Sequence, residues 1–199
     1  MSLYLTSISD QKFKMIVKPG FILSLDFSSP FRPIIDQLPD GAYKLTDGDY
    51  SYIKFNIKEG KIDGEYRHYD KDLCAFAEVG QYKDGERIGV WISQDFGQHY
   101  TLDHYIDGYL DGVSLNYTKG RLSSSITYKR GKYHGLYKSY HPTGKVAFKT
   151  NYVNHKMHGF GYYYDDKGRL FKKELYKNDR IIWGHNLSPA SKNKLIYKM

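Results

Sequence analysis

Short runs that mix β-branched and aromatic residues with Lys, Ser and Thr make up most of the chain from residue 39 to residue 184. The segments 135–140 and 145–152 are examples, and neither shows a sustained hydrophobic period of 3.6 residues. Runs of this length and composition are typical of β-strands, and clusters of Gly, Asn, Asp and Pro separate them. The pattern therefore predicts an all-β chain.

A turn motif recurs among these runs at intervals of 23 to 25 residues. Its full form is Tyr-x-x-Gly-x-x-x-Gly, and its copies begin at Tyr82, Tyr105 and Tyr128, with variants at Ile57, Tyr152 and Tyr176. A second turn signal divides each unit about halfway, for example at residues 118–120 and 141–144. Two turns per unit leave two short strands, so we expect about six β-hairpins of 23–25 residues in succession.

The repeated tyrosines should occupy equivalent places in successive hairpins. Cross-strand aromatic pairs stabilise a sheet, so we expect the tyrosines to form an aromatic ladder in the core. An end repeat has only one neighbour, and loss of the terminal Tyr176 should therefore destabilise the fold less than loss of the central Tyr128.

Three further features carry a resemblance to a known family. An aromatic residue follows a glycine by two positions near the start of a unit (64–66, 89–91 and 135–137), the mid-unit turn ends in Gly, and the unit closes with Tyr-x-x-Gly-Lys-x-x-Gly. With these features, residues 41–184 resemble the MORN repeat in its bacterial variant form. Ser114 and Gly161 depart from it, because they stand where the third and fifth units should carry an aromatic residue. The resemblance implies an elongated antiparallel meander of stacked hairpins.

The repeats suggest a division of the chain into three parts. Residues 1–38 contain Pro30 and Pro33 and no clear repeat, so we interpret them as an atypical N-terminal cap on the repeat array at 39–184. Residues 185–199 resemble a basic tail. The lone Cys74 excludes an internal disulfide and a zinc site of paired thiolates. No apolar run has the length of a signal peptide core or a membrane helix, so we expect a cytoplasmic protein.

Charge is distributed unevenly along the sequence. Residues 1–118 hold 12 Lys and Arg against 18 Asp and Glu, a net charge of −6, whereas residues 119–199 hold 18 against 4, a net charge of +14. A basic carboxy-terminal half favours acidic partners, because complementary charge speeds association.

The sequence gives no support for catalysis. His155 and His158 could chelate a metal ion on a turn, but His158 occupies a repeat position that holds Asp63 and Ile88 in other units. A position that accepts Asp, Ile and His is a surface turn position, so we expect no metal site. Carboxylate pairs lie at turns, which Asp favours for backbone reasons. We therefore expect neither an enzyme nor a cofactor.

The favoured function is a non-catalytic protein-binding module. Tyrosines on a rigid repeat sheet supply a large contact area at low entropic cost. The MORN-variant resemblance implies an antitoxin or immunity-like role, in which the chain neutralises or inhibits a toxin or enzyme with an acidic surface. The predicted partner-binding residues lie on or beside the strands of the basic half: Tyr137, Tyr140, Tyr162, Tyr164, Arg130, Lys138, Lys172 and Lys173.

A second hypothesis uses the same basic half. Lys and Arg interleaved with aromatic residues also suit nucleic acid, whose backbone meets the cations while its bases stack on the rings. The MORN resemblance further implies anionic phospholipid headgroups as a ligand. A purely structural role is the third alternative, and the sequence leaves open which sheet face binds.

Overall fold

The structure is a computed structural model that describes residues 2–7, 12–16, 38–46, 51–71, 73, 75–95, 98–187 and 195–197. Every regular element in these ranges is a β-strand, so the predicted all-β fold class is confirmed. The strands are β1 (Ser2–Ser7), β2 (Lys12–Ile16), β3 (Gly41–Thr46), β4 (Tyr52–Lys58), β5 (Lys61–Ile62), β6 (Gly64–Asp70), β7 (Ala75–Lys83), β8 (Glu86–Gln94), β9 (His99–Ile106), β10 (Tyr109–Leu110), β11 (Gly112–Thr118), β12 (Arg121–Lys129), β13 (Lys132–Tyr140), β14 (Val146–Val153), β15 (Lys156–Tyr164), β16 (Leu170–Lys177), β17 (Arg180–Asn186) and β18 (Leu195–Tyr197).

The strands belong to two compact units. The first contains residues 1–96 and 105–108, and the second contains residues 97–104 and 109–199. In the first unit, β3 pairs with β4, β4 with β6, β6 with β7 and β7 with β8, always antiparallel. Strands β1 and β2 form a hairpin, and β1 also pairs with β3. The predicted meander of hairpins is therefore present in this unit.

The first unit holds the larger hydrophobic core. Strand β4 shows how the core is built, because its buried Ile53, Phe55 and Ile57 alternate with the less buried Lys54 and Asn56. The buried set consists of Tyr43, Leu45, Ile53, Phe55, Ile57, Ile62, Tyr66, Tyr82 and Trp91.

In the second unit, each strand from β11 to β18 pairs antiparallel with the next, and β9 pairs with β11. Its buried residues are of mixed character. Ile126 and Tyr176 are apolar or aromatic, whereas Ser114, Thr150 and Glu174 are polar or charged. The packing of this unit therefore depends on half-buried aromatic rings and on hydrogen bonds.

The recurring motif forms two-residue hairpin turns. Residues 84–85, 130–131 and 154–155 each place two consecutive residues at positive φ, between 47° and 86°. This is the type I′ conformation, whose twist matches that of the flanking strands. His155 occupies the second turn position, where other units have Gly, and its Nδ1 accepts a hydrogen bond from the backbone N–H of Tyr133 at 3.4 Å. Asp179 does the same in the next turn, accepting from Met157 N–H at 2.7 Å.

Rings on intervening strands bridge two pairs of the periodic tyrosines, one pair in each unit. Trp91 packs against both Tyr82 and Tyr105, with ring centroids 5.0 and 6.2 Å apart. Tyr133 joins Tyr128 to Tyr152 in the same way, at 5.0 and 5.7 Å. Tyrosines one repeat apart lie two strands apart, about 9.6 Å, which is too far for direct ring contact. The expected stacking is therefore present within these two pairs, and in each pair the middle ring belongs to the intervening strand.

The two departures from the repeat pattern have physical reasons. A Cβ atom added to Gly161 would lie 2.7 Å from the Tyr176 ring and 3.0 Å from the Phe148 ring, so these rings take the space of the missing aromatic side chain. Ser114 donates a hydrogen bond from its hydroxyl to the Asp103 carboxylate. A polar pair replaces the aromatic contact there.

Some expectations stay predictions. These are the elongated shape of the array, the cap at 1–38 and the domain limits at 38 and 184. Cys74 and most of the predicted basic tail lie outside the described residues. Within the described part of the chain, no helix is long and apolar enough to cross a membrane.

Candidate functional site

The sheet from β13 to β17 has two different faces. Directly paired residues of neighbouring strands point to the same side, so the register assigns each side chain to a face. We call one side the core face, defined by Tyr137, Thr150, Tyr163 and Glu174, because Thr150 and Glu174 are buried there. The opposite side is the outer face.

A continuous row of side chains crosses the outer face. Lys138 pairs with Lys149, Lys149 with Tyr162, Tyr162 with Lys173, and Lys173 with His185. The row crosses five strands, about 19 Å at the usual strand spacing. We call these five residues the basic row.

Aromatic rings hold two of the row's ammonium groups. Lys149 Nζ lies 5.0 Å from the Tyr162 ring centre and 5.6 Å from that of Tyr164. Lys173 Nζ lies 3.7 Å from the Phe160 ring centre and 5.3 Å from that of Tyr162. At these distances the ring quadrupole attracts the cation.

Trp183 extends the aromatic surface. Its ring packs edge-on to Phe160 at 6.3 Å and stacks on His185 at 6.0 Å. Phe160 nevertheless keeps 39% of its surface exposed. We define the outer patch as the basic row together with Phe160, Tyr164 and Trp183.

None of the carboxylate side chains of residues 119–199 belongs to the outer patch. Residues 119–199 contain four, and all four lie elsewhere. Asp165 and Asp166 belong to the loop between β15 and β16, and Asp179 to the turn before β17. Glu174 lies on the core face. The outer patch is therefore uniformly basic and aromatic.

The core face holds the one buried carboxylate among the described residues of this unit. Glu174 accepts hydrogen bonds from Tyr176 at 2.6 Å and Tyr163 at 2.8 Å, and pairs with Lys172 Nζ at 2.7 Å. Burial raises the pKa of the Glu174 carboxyl, but these three donors outweigh burial and hold the pKa below its ordinary value. Burial, together with the bond to Glu174, raises the pKa of the Tyr176 phenol far above its ordinary value. The buried Glu174 carboxylate therefore has hydrogen-bond and ion-pair partners within the sheet, and we assign the cluster a structural role.

The structure brings four of the predicted binding residues together. Tyr162, Tyr164 and Lys173 belong to the outer patch and share its rings and ammonium groups. Lys138 begins the basic row beside Lys149.

The other four predicted residues lie elsewhere. Tyr137 is on the core face, 6.0 Å from the Tyr152 ring. Lys172 is on the same face, engaged by Glu174. Arg130 is exposed in a hairpin turn, where its backbone N–H donates to Asp111. Tyr140 ends β13 and lines a separate cavity.

Sequence reasoning missed Lys149, Phe160, Trp183 and His185. The alternation of side chains along β14 was an available signal, because neighbouring residues of a strand point to opposite faces. An aromatic Phe148 assigned to the core, where it contacts Tyr163, places Lys149 on the outer face. The cross-strand row itself could not be found without the register, which irregularities shift by one residue in β13–β14 and by two in β14–β15.

Among the residues that the structure describes, no group of three or more His, Cys, Asp or Glu side chains is placed to hold a metal ion. His158, one of the histidines weighed as a ligand, is exposed beside the turn at 154–155.

Comparison with known proteins adds no family. No family model matches the chain, and no curated protein matches it. Two solved structures are similar in part. A crystal structure of TarM is 13% identical over 66% of this chain, with a TM-score of 0.21. A variant of S. aureus TarM is 10% identical over 84% of this chain, also at 0.21. The chain spans 22% and 23% of these proteins, and such low TM-scores carry no argument.

Proposed function

We propose that this chain is a non-catalytic protein-binding module whose outer patch docks on an acidic surface of a partner protein. The observation that carries the proposal is the basic row, whose half-buried side chains lie on the outer face with Lys149 and Lys173 held over aromatic rings. The carboxylates of the same half lie off this face, so the charge is available to a partner.

The stability of the fold does not explain why lysines are paired in the basic row. Lys138 and Lys149 are directly paired, and like charges opposite each other in a sheet are destabilising by a few tenths of a kcal/mol to about 1 kcal/mol. The Tyr162 and Tyr164 rings draw the Lys149 ammonium to themselves. The like-charge repulsion roughly cancels what the cation–π contacts contribute to stability, whereas an acidic partner surface would be attracted to the cations.

The aromatic residues favour a folded protein as the partner. Tyr and Trp supply much of the binding free energy at protein interfaces, where they sit at the centre inside a polar rim. Tyr162 occupies such a position between Lys149 and Lys173, and the Phe160 ring lies beside it and contacts Trp183. Because the lysine ammoniums are already held over rings, fewer rotamers are lost on binding.

The partner class comes from the sequence resemblance. A MORN-variant protein of the antitoxin or immunity-like type would cover a toxin or enzyme and so inhibit it. An acidic surface on that toxin or enzyme would meet the outer patch.

Nucleic acid or an anionic headgroup surface remains the alternative ligand of the same residues. Salt dependence separates the two. Each phosphate neutralised on duplex DNA adds about 0.9 to the slope of log affinity against log salt concentration, so binding through several phosphates falls by orders of magnitude between low and moderate salt. A protein interface with an aromatic centre retains much of its affinity.

Surface plasmon resonance with the purified partner tests the proposal. Replacing Tyr162 by Ala should raise the dissociation rate about tenfold or more, because a central anchor is lost. The double variant Lys149→Gln/Lys173→Gln should mainly slow association. The control Lys132→Gln/Lys156→Gln removes two exposed charges outside the patch, and it should bind the partner almost as the wild type does. Equal effects of the patch and control variants would contradict the proposal.

A further inference from the structure

A cavity of about 560 Å³ lies at the mid-unit turns of the second unit. Small-molecule sites typically enclose about 300–1,000 Å³. Its lining residues come from the ends of β11, β12 and β13 and the turns between them: Thr118, Lys119, Arg121, Ser123, Tyr140, His141 and Pro142.

The cavity lies where neighbouring turns differ in length. A two-residue turn at 119–120 joins β11 to β12, whereas the turn after β13 takes five residues, 141–145. One Arg121 N–H donates to the Pro142 carbonyl at 3.0 Å and ties the two turns together. His141 Nε2 lies 2.8 Å from the Tyr164 carbonyl oxygen and anchors the longer turn to β15.

The lining has a distinctive chemistry. Lys119 and Arg121 are its charged residues, and no carboxylate lines it. A guanidinium has five N–H donors in a planar fork, of which the Pro142 bond uses one. The fork matches the oxygen atoms of a phosphate group, and the Lys119 ammonium adds a point charge. The Tyr140 and Pro142 rings supply flat apolar walls, and a base or other planar ring stacks on such a surface.

We propose that this cavity binds a phosphate monoester carried on a planar ring, the class to which nucleoside monophosphates belong. Arg121 and Lys119 hold the phosphate, and Tyr140 stacks on the ring. The site shares no residue with the outer patch, so the proposal does not rest on the proposed function. If binding to the protein partner fails, binding of a phosphate ligand in the cavity can still be measured, and the reverse also holds.

Isothermal titration calorimetry on the full chain tests the site with AMP, adenosine and inorganic phosphate as probes. AMP should bind about tenfold or more tightly than either fragment, because it engages both the cations and the ring wall. Arg121→Gln should weaken AMP binding about tenfold or more. The matched control is Arg130→Gln, which removes the same charge from an exposed turn outside the cavity. It should leave AMP binding unchanged.

A second variant keeps the test sound if Arg121→Gln unfolds the turn. Lys119→Gln removes a charge that lines the cavity and leaves the hydrogen bond between Arg121 and Pro142 in place. It should also weaken AMP binding. Tyr140→Leu should weaken the binding of AMP but leave the binding of inorganic phosphate unchanged. The proposal is overturned if AMP does not bind, or if it binds equally to the Arg121, Lys119 and Arg130 variants.

A 5′-phosphorylated oligonucleotide tests whether the phosphate in the site belongs to a free small molecule or to the end of a nucleic acid strand. Affinity no higher than that of AMP supports a free small molecule as the ligand. Affinity far above that of AMP and unchanged in Arg121→Gln would overturn the site, because the strand would then be held elsewhere.

Discussion

Lys173 of β16 places its ammonium nitrogen 3.7 Å from the centre of the Phe160 ring on neighbouring β15. Phe160 remains substantially exposed, so the ring orients the cation at the surface without burying it. Lys149 has the same relation to the Tyr162 and Tyr164 rings. Two cations are thus fixed on an aromatic surface before any partner arrives.

Lys149→Gln should separate binding from stability. The substitution loses a cation–π contact of about 0.5–1 kcal/mol at an exposed site, and it relieves a like-charge pair with Lys138 of similar size. The free energy of unfolding, measured in urea, should therefore change by less than about 0.5 kcal/mol, while association with the partner slows. A large loss of stability would mean that Lys149 is structural.

Tyr176→Ala should destabilise the fold more than Tyr128→Ala, which reverses the order expected from repeat position. Tyr176 is buried and bonds to Glu174, whereas Tyr128 is half-buried. Loss of a buried aromatic side chain costs about 3–5 kcal/mol, and the Glu174 carboxylate also loses a donor. Tyr128→Ala should cost about half as much. Denaturant unfolding measures the loss in the free energy of unfolding for each variant. Equal losses would contradict the assignment of Tyr176 as the more deeply packed of the two tyrosines.

Gly80→Ala should be among the costliest single-methyl additions in the first unit. A Cβ at Gly80 would lie 2.1 Å from the Trp91 ring, which is 99% buried and cannot move freely. Overpacking of this kind costs about 1–3 kcal/mol or more.

A double-mutant cycle identifies the cause of that cost. With Trp91→Leu already present, Gly80→Ala should cost much less, because the ring it meets is gone. Strictly additive effects of the two substitutions would show that the Trp91 ring is not the obstacle.

Stability should fall in acid partly through Glu174. The folded-state pKa of this carboxyl lies below its ordinary value, so the folded state binds fewer protons than the unfolded chain. The stabilisation is present above the ordinary glutamate pKa and is lost as pH falls through the lowered one, a window below about pH 5. Thermal melts of wild type and Glu174→Gln should differ most at neutral pH and converge in acid. The exposed Asp166→Asn serves as control and should keep the wild-type pH profile.

The repeat pattern predicted the strands and turns because local chemistry decides them. The Gly residues at 85 and 131 adopt positive φ in type I′ turns, which only a few residue types tolerate. The site was harder to predict, because a face is fixed by register. Tyr137 and Lys138 are neighbours in sequence but point to opposite faces, and bulges within β13–β14 and β14–β15 shift the pairing. Lys172 has the residue type of a binding cation, yet the buried Glu174 engages it.

Affinity capture from lysate of the source cells, with and without nuclease treatment, tests the central claim most directly, with bound protein quantified by mass spectrometry and bound nucleic acid by a fluorescent stain. The baits are the wild type, the triple variant Lys149→Gln/Tyr162→Ala/Lys173→Gln and the control Lys132→Gln/Lys156→Gln, each at low and moderate salt. We predict a protein that the wild type and the control retain at both salt concentrations and that the triple variant loses. Equal capture of every protein by all three baits, or binding to nucleic acid alone that disappears at moderate salt, would contradict the claim that the outer patch is a protein-binding surface.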